Sequence, residues 1–242
     1  VEAFLEDQLA RLRPSSARIR YASLRQFFAY VVDLGEITAS PMASMKPPAV
    51  PETEVPIIDE ASLRKLLKLL DGEGDFLGRR DAAIVRMFVD TGARLSEVAQ
   101  LDVEQLNLEA GTVTFMGKGR RVRTNPIGSK TLRALDRYLV LRGRHPDRDS
   151  PALWLGTQGR LTSYGVAEAV KRRAAQAGVG DVHVHQLRHS TAHFLRLNGM
   201  DDDSVMRLMG WRDRSMLHRY GASAADERAR DAFRRLSPGD RL

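Results

Sequence analysis

Cysteine is missing from all 242 residues. That excludes disulfides and thiolate-bound metal, and it fits a reducing cytosol, where the chain is expected to work. No apolar run approaches the roughly 18 residues that a membrane span needs, and the opening residues lack the pattern of a secretory signal. Aromatic residues are sparse, at 6%. Acidic residues are outnumbered: 31 Asp and Glu face 38 Lys and Arg, for a net charge of +7. A surplus of that sign points towards a polyanionic partner. It is unevenly placed, because Gly111 to Arg173 holds 14 Lys and Arg against 4 Asp and Glu. What remains is ordinary for a soluble globular protein, with 43% hydrophobic and 29% charged residues. The length allows one large domain or two modest ones.

Proline supplies the clearest boundary. Pro47, Pro48, Pro51 and Pro56 stiffen the segment 47–56 into a linker. Before it, Val1–Arg13 carries Val1, Leu5, Leu9 and Leu12 on one helical stripe. A second helix, capped by Ser15 or Ser16, carries Tyr21, Leu24, Phe28 and Val31. Arg18, Arg20 and Arg25 lie along this pair and are candidates for contacting a polyanion, although a solvated face explains them equally well.

After the linker, Asp59 or Ser62 caps a helix running to Leu70. Helices are also predicted over Arg79–Asp90, Ser129–Arg142, Ser163–Ala177, His185–Asn198 and Asp203–Met209. Thr112–Met116 and Arg121–Ile127 read as strands of a hairpin whose tip, Gly117-Lys118-Gly119-Arg120, lifts Lys118 outward. Ala224–Leu236 is a last amphipathic helix, with Ala225, Ala229, Ala232, Phe233 and Leu236 on one stripe. The fold class expected is mainly α, with a small antiparallel β-hairpin or sheet in an α+β domain over 57–242 and a smaller helical domain over 1–46.

Arg94, Lys118, His185, Arg188, Trp211 and Tyr220 carry the chemistry of interest. Singly, each has a bland reading as a surface cation, a packing aromatic or an amphipathic filler. Together they sit in a recurring order: Thr91-Gly92-Ala93-Arg94-Leu95-Ser96-Glu97, then Gly117-Lys118-Gly119, then His185-Gln186-Leu187-Arg188-His189, then Met209-Gly210-Trp211, and finally Tyr220. In this the chain resembles the tyrosine recombinase (phage integrase) family, Xer-type recombinases included, throughout Ile57–Tyr220. The first 50 residues resemble that family's helical, SAM-like core-binding domain, and the resemblance implies that its usual first helix is missing from a sequence that opens at Val1.

The resemblance implies a two-domain, C-shaped clamp on double-stranded DNA that cuts and rejoins strands through a 3′-phosphotyrosyl link, with no metal, ATP or other cofactor. It makes Tyr220 the nucleophile and Arg94 and Arg188 the clamp on the phosphate, Arg being always charged and forked to match phosphate oxygens. Lys118 becomes the general acid for the 5′-oxygen, and His185 an acid, base or phosphate donor. Glu97 and His189 are supporting residues. Trp211 stands where the family more often has His; indole donates one hydrogen bond and cannot exchange a proton at neutral pH, so the acid role falls more firmly on Lys118. Arg120, Arg121 and Arg123 are expected to face DNA. The resemblance also implies a tetramer on DNA, docked through the 224–236 helix onto a neighbouring subunit or onto its own domain, with accessory DNA-binding proteins as further partners.

Two rivals stay open at this level. His185, His189 and His193 fall four apart, with His183 close by, which is a zinc-like spacing. There is, however, no HExxH arrangement and no thiolate. The other rival keeps the DNA and changes the chemistry: an inactivated, DNA-binding relative, or an enzyme of the type IB topoisomerase plan.

Overall fold

The computed structural model of the chain describes residues 1–51, 56–117, 121–214, 216–217, 229–230, 233–234 and 236–240. It divides into two compact units, Val1–Thr53 and Glu54–Leu242, and the division falls inside the proline-rich stretch.

In the first unit, α1 (Glu2–Arg11) and α2 (Pro14–Asp33) pack on one another. The turn between them is set by proline: Pro14 occupies the first position of α2, where its missing N–H costs nothing, so the helix begins before Ser15 and Ser16 and neither caps it. Leu5, Tyr21 and Met42 form a small core with Leu24, Phe28 and Met45 against it. The Tyr21 hydroxyl donates to the Met45 carbonyl and ties the chain after α2 back onto the helix.

The second unit is built around α4 (Phe76–Thr91), whose Ala82, Ala83, Ile84, Val85, Met87 and Phe88 are all buried. It packs against α3 (Glu60–Asp71), α6 (Ser129–Arg142), α7 (Ser163–Gln176) and α8 (Val184–Leu197). Side-chain oxygens fix where several helices start. Asp59 accepts from the Ser62 amide at 2.9 Å and opens α3. Asp75 accepts from the Gly78 amide at 2.6 Å, so α4 begins three residues before Arg79 and Gly78 lies inside it rather than in a loop. Asp201 does the same for α9 (Asp202–Met209) through the Ser204 amide at 2.8 Å.

The sheet is antiparallel and small, in the order β1 (Leu106–Asn107), β2 (Thr112–Gly117), β3 (Arg121–Pro126). Its two-residue first strand is too short for a period-2 pattern to announce. Val113 and Phe115 are buried and lie opposite Asn125 and Arg123. The described residues are mostly helical with a three-stranded antiparallel sheet; the periodicity predicts the β2–β3 hairpin and not β1. Among the described residues no helix is long and apolar enough to cross a membrane.

One polar cluster is locked into this core. Asp81 is fully buried and accepts from Arg80 at 2.9 and 3.1 Å, from Arg172 at 2.8 Å and from Arg173 at 2.9 Å. The carboxylate thus pins α7 to α4. Asp81→Asn leaves the buried Arg80 guanidinium without a carboxylate and Arg173 with Glu73 alone, and is expected to cost about 3–5 kcal/mol in urea unfolding. Arg64→Ala breaks only an exposed pair with Glu60 and is expected to shift stability by less than about 1 kcal/mol. Equal effects would mean that the Asp81 cluster is not structural.

Candidate active site

Three helix ends meet in one place. α4 stops at Gly92, which adopts a left-handed conformation (φ 55°) that ordinary residues avoid. A Cβ there would also come within 2.6 Å of the Met209 side chain. α5 (Leu95–Ala99) starts immediately afterwards, with Arg94 at its N-cap. α9 ends at Gly210, again left-handed (φ 63°), beside the Arg123 side chain.

The carbonyls exposed by these endings are claimed by buried side chains. Arg188, on α8, is 3% exposed; its Nη1 donates to the Gly92 carbonyl and its Nη2 to the Met209 carbonyl at 2.6 Å. One guanidinium therefore holds the C-termini of α4 and α9 together, where negative partial charge gathers. The Thr191 hydroxyl, one turn further along α8, lies within donating reach of the Val89 carbonyl at 3.0 Å and the Phe88 carbonyl at 3.2 Å at the end of α4, and of its own helix's Leu187 carbonyl at 2.9 Å. Trp211 is buried in a second apolar cluster with Ala192, Val205, Met209 and Leu217. The Arg188 guanidinium carbon lies 5.4 Å from the centre of the Trp211 ring, a cation–π contact. Trp211 thus walls the guanidinium from one side.

Arg94 is fixed by Glu97. The carboxylate accepts from the Arg94 backbone amide at 2.7 Å and from Arg94 Nη1 at 3.0 Å. It also accepts from Arg123 Nη1 at 2.6 Å and Nη2 at 2.8 Å. Arg123, expected on the DNA-facing surface, is therefore turned inward. Its side chain is 14% exposed, its Nε donates to the Leu208 carbonyl at 3.2 Å, and it stacks on Phe115 at 4.8 Å. The reason is register: it lies opposite Phe115, on the buried face of the sheet. Asn125 lies on the same face and donates to the carbonyls of Leu208 at 3.0 Å and Thr91 at 3.3 Å. Burial alone would raise the Glu97 pKa, but the Arg123 hydrogen bond, the Arg94 amide and the charges of both arginines outweigh it and hold the carboxyl at about 2.

Arg94, His185 and Arg188 line a single cavity of about 660 Å³. His185 stands in the first turn of α8, three residues before Arg188. Burial, then the charges of Arg188 and Arg94, push its pKa below the ordinary 6.5, so the ring is neutral at pH 7. His189 is buried beneath it, the two rings edge to face at 4.3 Å. His193 packs against Phe194, and among the described residues no group of three His, Cys, Asp or Glu side chains converges as a metal site would require. The half-exposed Arg94 guanidinium and the His185 ring, with the buried Arg188 lining the same open cavity, can seat a tetrahedral anion and leave a neutral ring free to donate or accept a proton.

The cavity has contributors that motif reading overlooks. Ser163, Ala167 and Lys171 line it from α7, and their four-residue spacing is visible in the sequence. Lys171 lies 3.5 Å from Asp181. In the first unit, Arg18, Arg20 and Arg25 are exposed along α2, with Arg20 donating to Gln8. Lys118, Arg120 and Tyr220 lie outside the described residues, as do the side chain of Arg121 and most of the 224–236 helix.

The sequence profile of the phage integrase family matches residues 56–227. The tyrosine recombinase XerC of Azotobacter vinelandii is 38% identical over 198 residues, covering 79% of this chain and 64% of that protein. XerC of Salmonella typhi is 36% identical over 205 residues, covering 82% of this chain and 66% of its own length. The chain thus spans just under two thirds of the length of these curated relatives. Among solved structures, the XerH site-specific recombinase bound to a palindromic difH substrate, a post-cleavage complex, aligns over 96% of this chain and 70% of its own, with TM-score 0.79 and 20% identity. A lambda integrase dimer bound to a COC' core site aligns over 90% of this chain and 62% of its own, with TM-score 0.69 and 17% identity.

The Glu97 hub makes a pH-resolved prediction. Its folded pKa of about 2 lies below the ordinary 4.5. The stability it contributes is therefore complete above pH 4.5 and lost as pH falls towards 2, on the order of 3 kcal/mol in total. Arg123→Ala removes the main group that holds the proton off, while burial still raises the carboxyl. It is expected to destabilise the fold by about 3–5 kcal/mol at pH 7 and to flatten the loss between pH 4.5 and 2. Chemical unfolding across that range checks both, and a variant with the wild-type pH slope would show that Arg123 does not hold Glu97.

Proposed function

Since the chain belongs to the phage integrase family of tyrosine recombinases, we propose that it breaks and rejoins double-stranded DNA at specific sites through a covalent phosphotyrosyl intermediate. The observation that carries this reading is the convergence of Arg94, His185 and Arg188 on one cavity. These cations and this neutral imidazole suit a phosphodiester whose reaction places negative charge on its non-bridging oxygens.

In this mechanism the Tyr220 oxygen attacks the scissile phosphorus. The phosphorus–5′-oxygen bond breaks, leaving a 3′-phosphotyrosine and a free 5′-hydroxyl. Arg94 and Arg188 bind the non-bridging oxygens, each already oriented from behind: Arg94 by Glu97, and Arg188 by two helix-end carbonyls. Such pre-ordering means that little reorganisation is needed as charge develops. His185, neutral at pH 7, takes the phenol proton or donates to the phosphate; the phenol, with a pKa of about 10, needs such help. Lys118, in the sequence that joins β2 to β3, protonates the departing 5′-oxygen. Rejoining is the same path reversed, with the 5′-hydroxyl of another strand attacking the phosphotyrosine. No step draws on a metal or a nucleotide. The smaller domain over 1–46, with Arg18, Arg20 and Arg25 exposed on α2, grips the duplex. The 224–236 helix docks on a neighbouring copy in a tetramer, as suits an amphipathic segment too short to be stable alone.

A suicide duplex, nicked so that the 5′ fragment diffuses away, is expected to trap a covalent protein–DNA adduct with the wild-type chain. Tyr220→Phe is expected to abolish the adduct and spare binding; an adduct with the Phe variant would remove Tyr220 from the nucleophile's role. Lys118→Ala is expected to slow cleavage by about 10²–10⁴ with the ordinary 5′-oxygen leaving group. With a 5′-thio leaving group, which needs no proton, the loss should nearly vanish. Equal losses on both substrates would contradict Lys118 as the acid.

A further inference from the structure

A second cationic concavity lies on the catalytic unit, sharing no residue with the first. It has a volume of about 300 Å³ and is formed by α4 and α6, with Asp71 at the end of α3. α4 contributes Arg79 and Arg86, seven residues apart. α6 contributes Lys130, Arg133 and Arg137, spaced so that all three share a helix face.

Three features distinguish it from an ordinary solvated basic face. The first is that Arg86 is not on the surface: its side chain is 8% exposed, yet it lines the concavity. Its Nη2 donates to Asp71 at 2.5 Å, while Asp71 is itself 57% exposed. The second is a charge imbalance: five cations surround the space and Asp71 is the one carboxylate lining it. Among the described residues, Arg79, Lys130, Arg133 and Arg137 enter no ion pair. Held side by side, these like charges repel one another until an anion enters. The third is the lining itself, whose remaining members are Leu70, Ala82 and Ala134. With no aromatic ring present, the site lacks the stacking platform that base-binding sites commonly use. The volume is at the low end for ligand pockets.

We propose that this groove is a second phosphate site, which takes the phosphate groups of a polyanion and not an organic or base-containing moiety. Guanidiniums on two facing helices supply forked donors to phosphate oxygens from both walls, and Arg86 closes the floor. The same chemistry would accept the backbone of a nucleic acid or a free polyphosphate. The site needs no strand cleavage to operate, so it stands or falls separately from the role of Tyr220.

The test uses the full chain and the side-chain N–H resonance of Arg86, with sodium tripolyphosphate and a random-sequence duplex as probes. Tripolyphosphate is expected to shift that resonance saturably. Arg133→Glu with Arg137→Glu, both exposed on α6, should raise the concentration needed by about tenfold or more. Arg144→Glu with Arg148→Glu changes the net charge equally at exposed positions outside the groove and should change it by less than about twofold. If the duplex also moves Arg86, and the α6 double variant lowers the salt slope of duplex binding by about 1 to 2 units, the site takes the backbone. If tripolyphosphate alone moves it, the site takes a free polyphosphate. An Arg86 resonance unmoved by either probe, or an equal loss in both double variants, would overturn the proposal.

Discussion

A single buried carboxylate organises the cavity. Glu97 receives a backbone amide and a guanidinium from Arg94 and a two-pronged guanidinium from Arg123. A buried anion is tolerated only when its lone pairs are filled this way, so the start of α5, the inner face of β3 and the end of α9 are drawn to one point. Arg188 performs the matching task with opposite charge: a buried cation filled by the carbonyls of Gly92 and Met209. The two arginines that face the cavity are thereby held by groups beneath it. Their donors are aimed before any substrate arrives.

The same arrangement explains why glycine recurs at the junctions. Gly92 and Gly210 both end helices in left-handed turns, and both leave a carbonyl or a flank against which a buried side chain lies. A larger residue at Gly92 would meet Met209 and suffer backbone strain at once. The family motifs around Arg94 and Trp211 are therefore partly motifs of chain reversal: the glycine shapes the helix end, and the neighbouring residue uses it.

Much of this was legible in the sequence, for reasons that can be named. Helices with a single apolar stripe are found by period, and their starts follow wherever Asp or Thr caps them. Arg94, His185 and Arg188 stand out because they fall in an ordered set of motifs, although Arg188 also serves as a buried clamp on two helix ends. Arg123 and Asn125 were hidden by the opposite cause. In β3 the usual pattern is inverted: Val122 is 60% exposed while Arg123 and Asn125 point inward. A basic run there reads as a surface patch. Carrying the inward face of Val113 and Phe115 across the hairpin register would have exposed the inversion. The start of α4 was missed because Gly78 resembles a loop residue, although it lies in the first turn capped by Asp75.

The central claim is that this cavity serves a phosphodiester attacked by one tyrosine of the same chain. It is tested most directly by trapping the protein on a suicide duplex, digesting both components and locating the residual nucleotide by mass spectrometry. The account predicts one modified peptide, carrying a 3′-phosphoryl nucleotide on Tyr220. A nucleotide on any other residue, or a 5′-phosphoryl linkage, would contradict it.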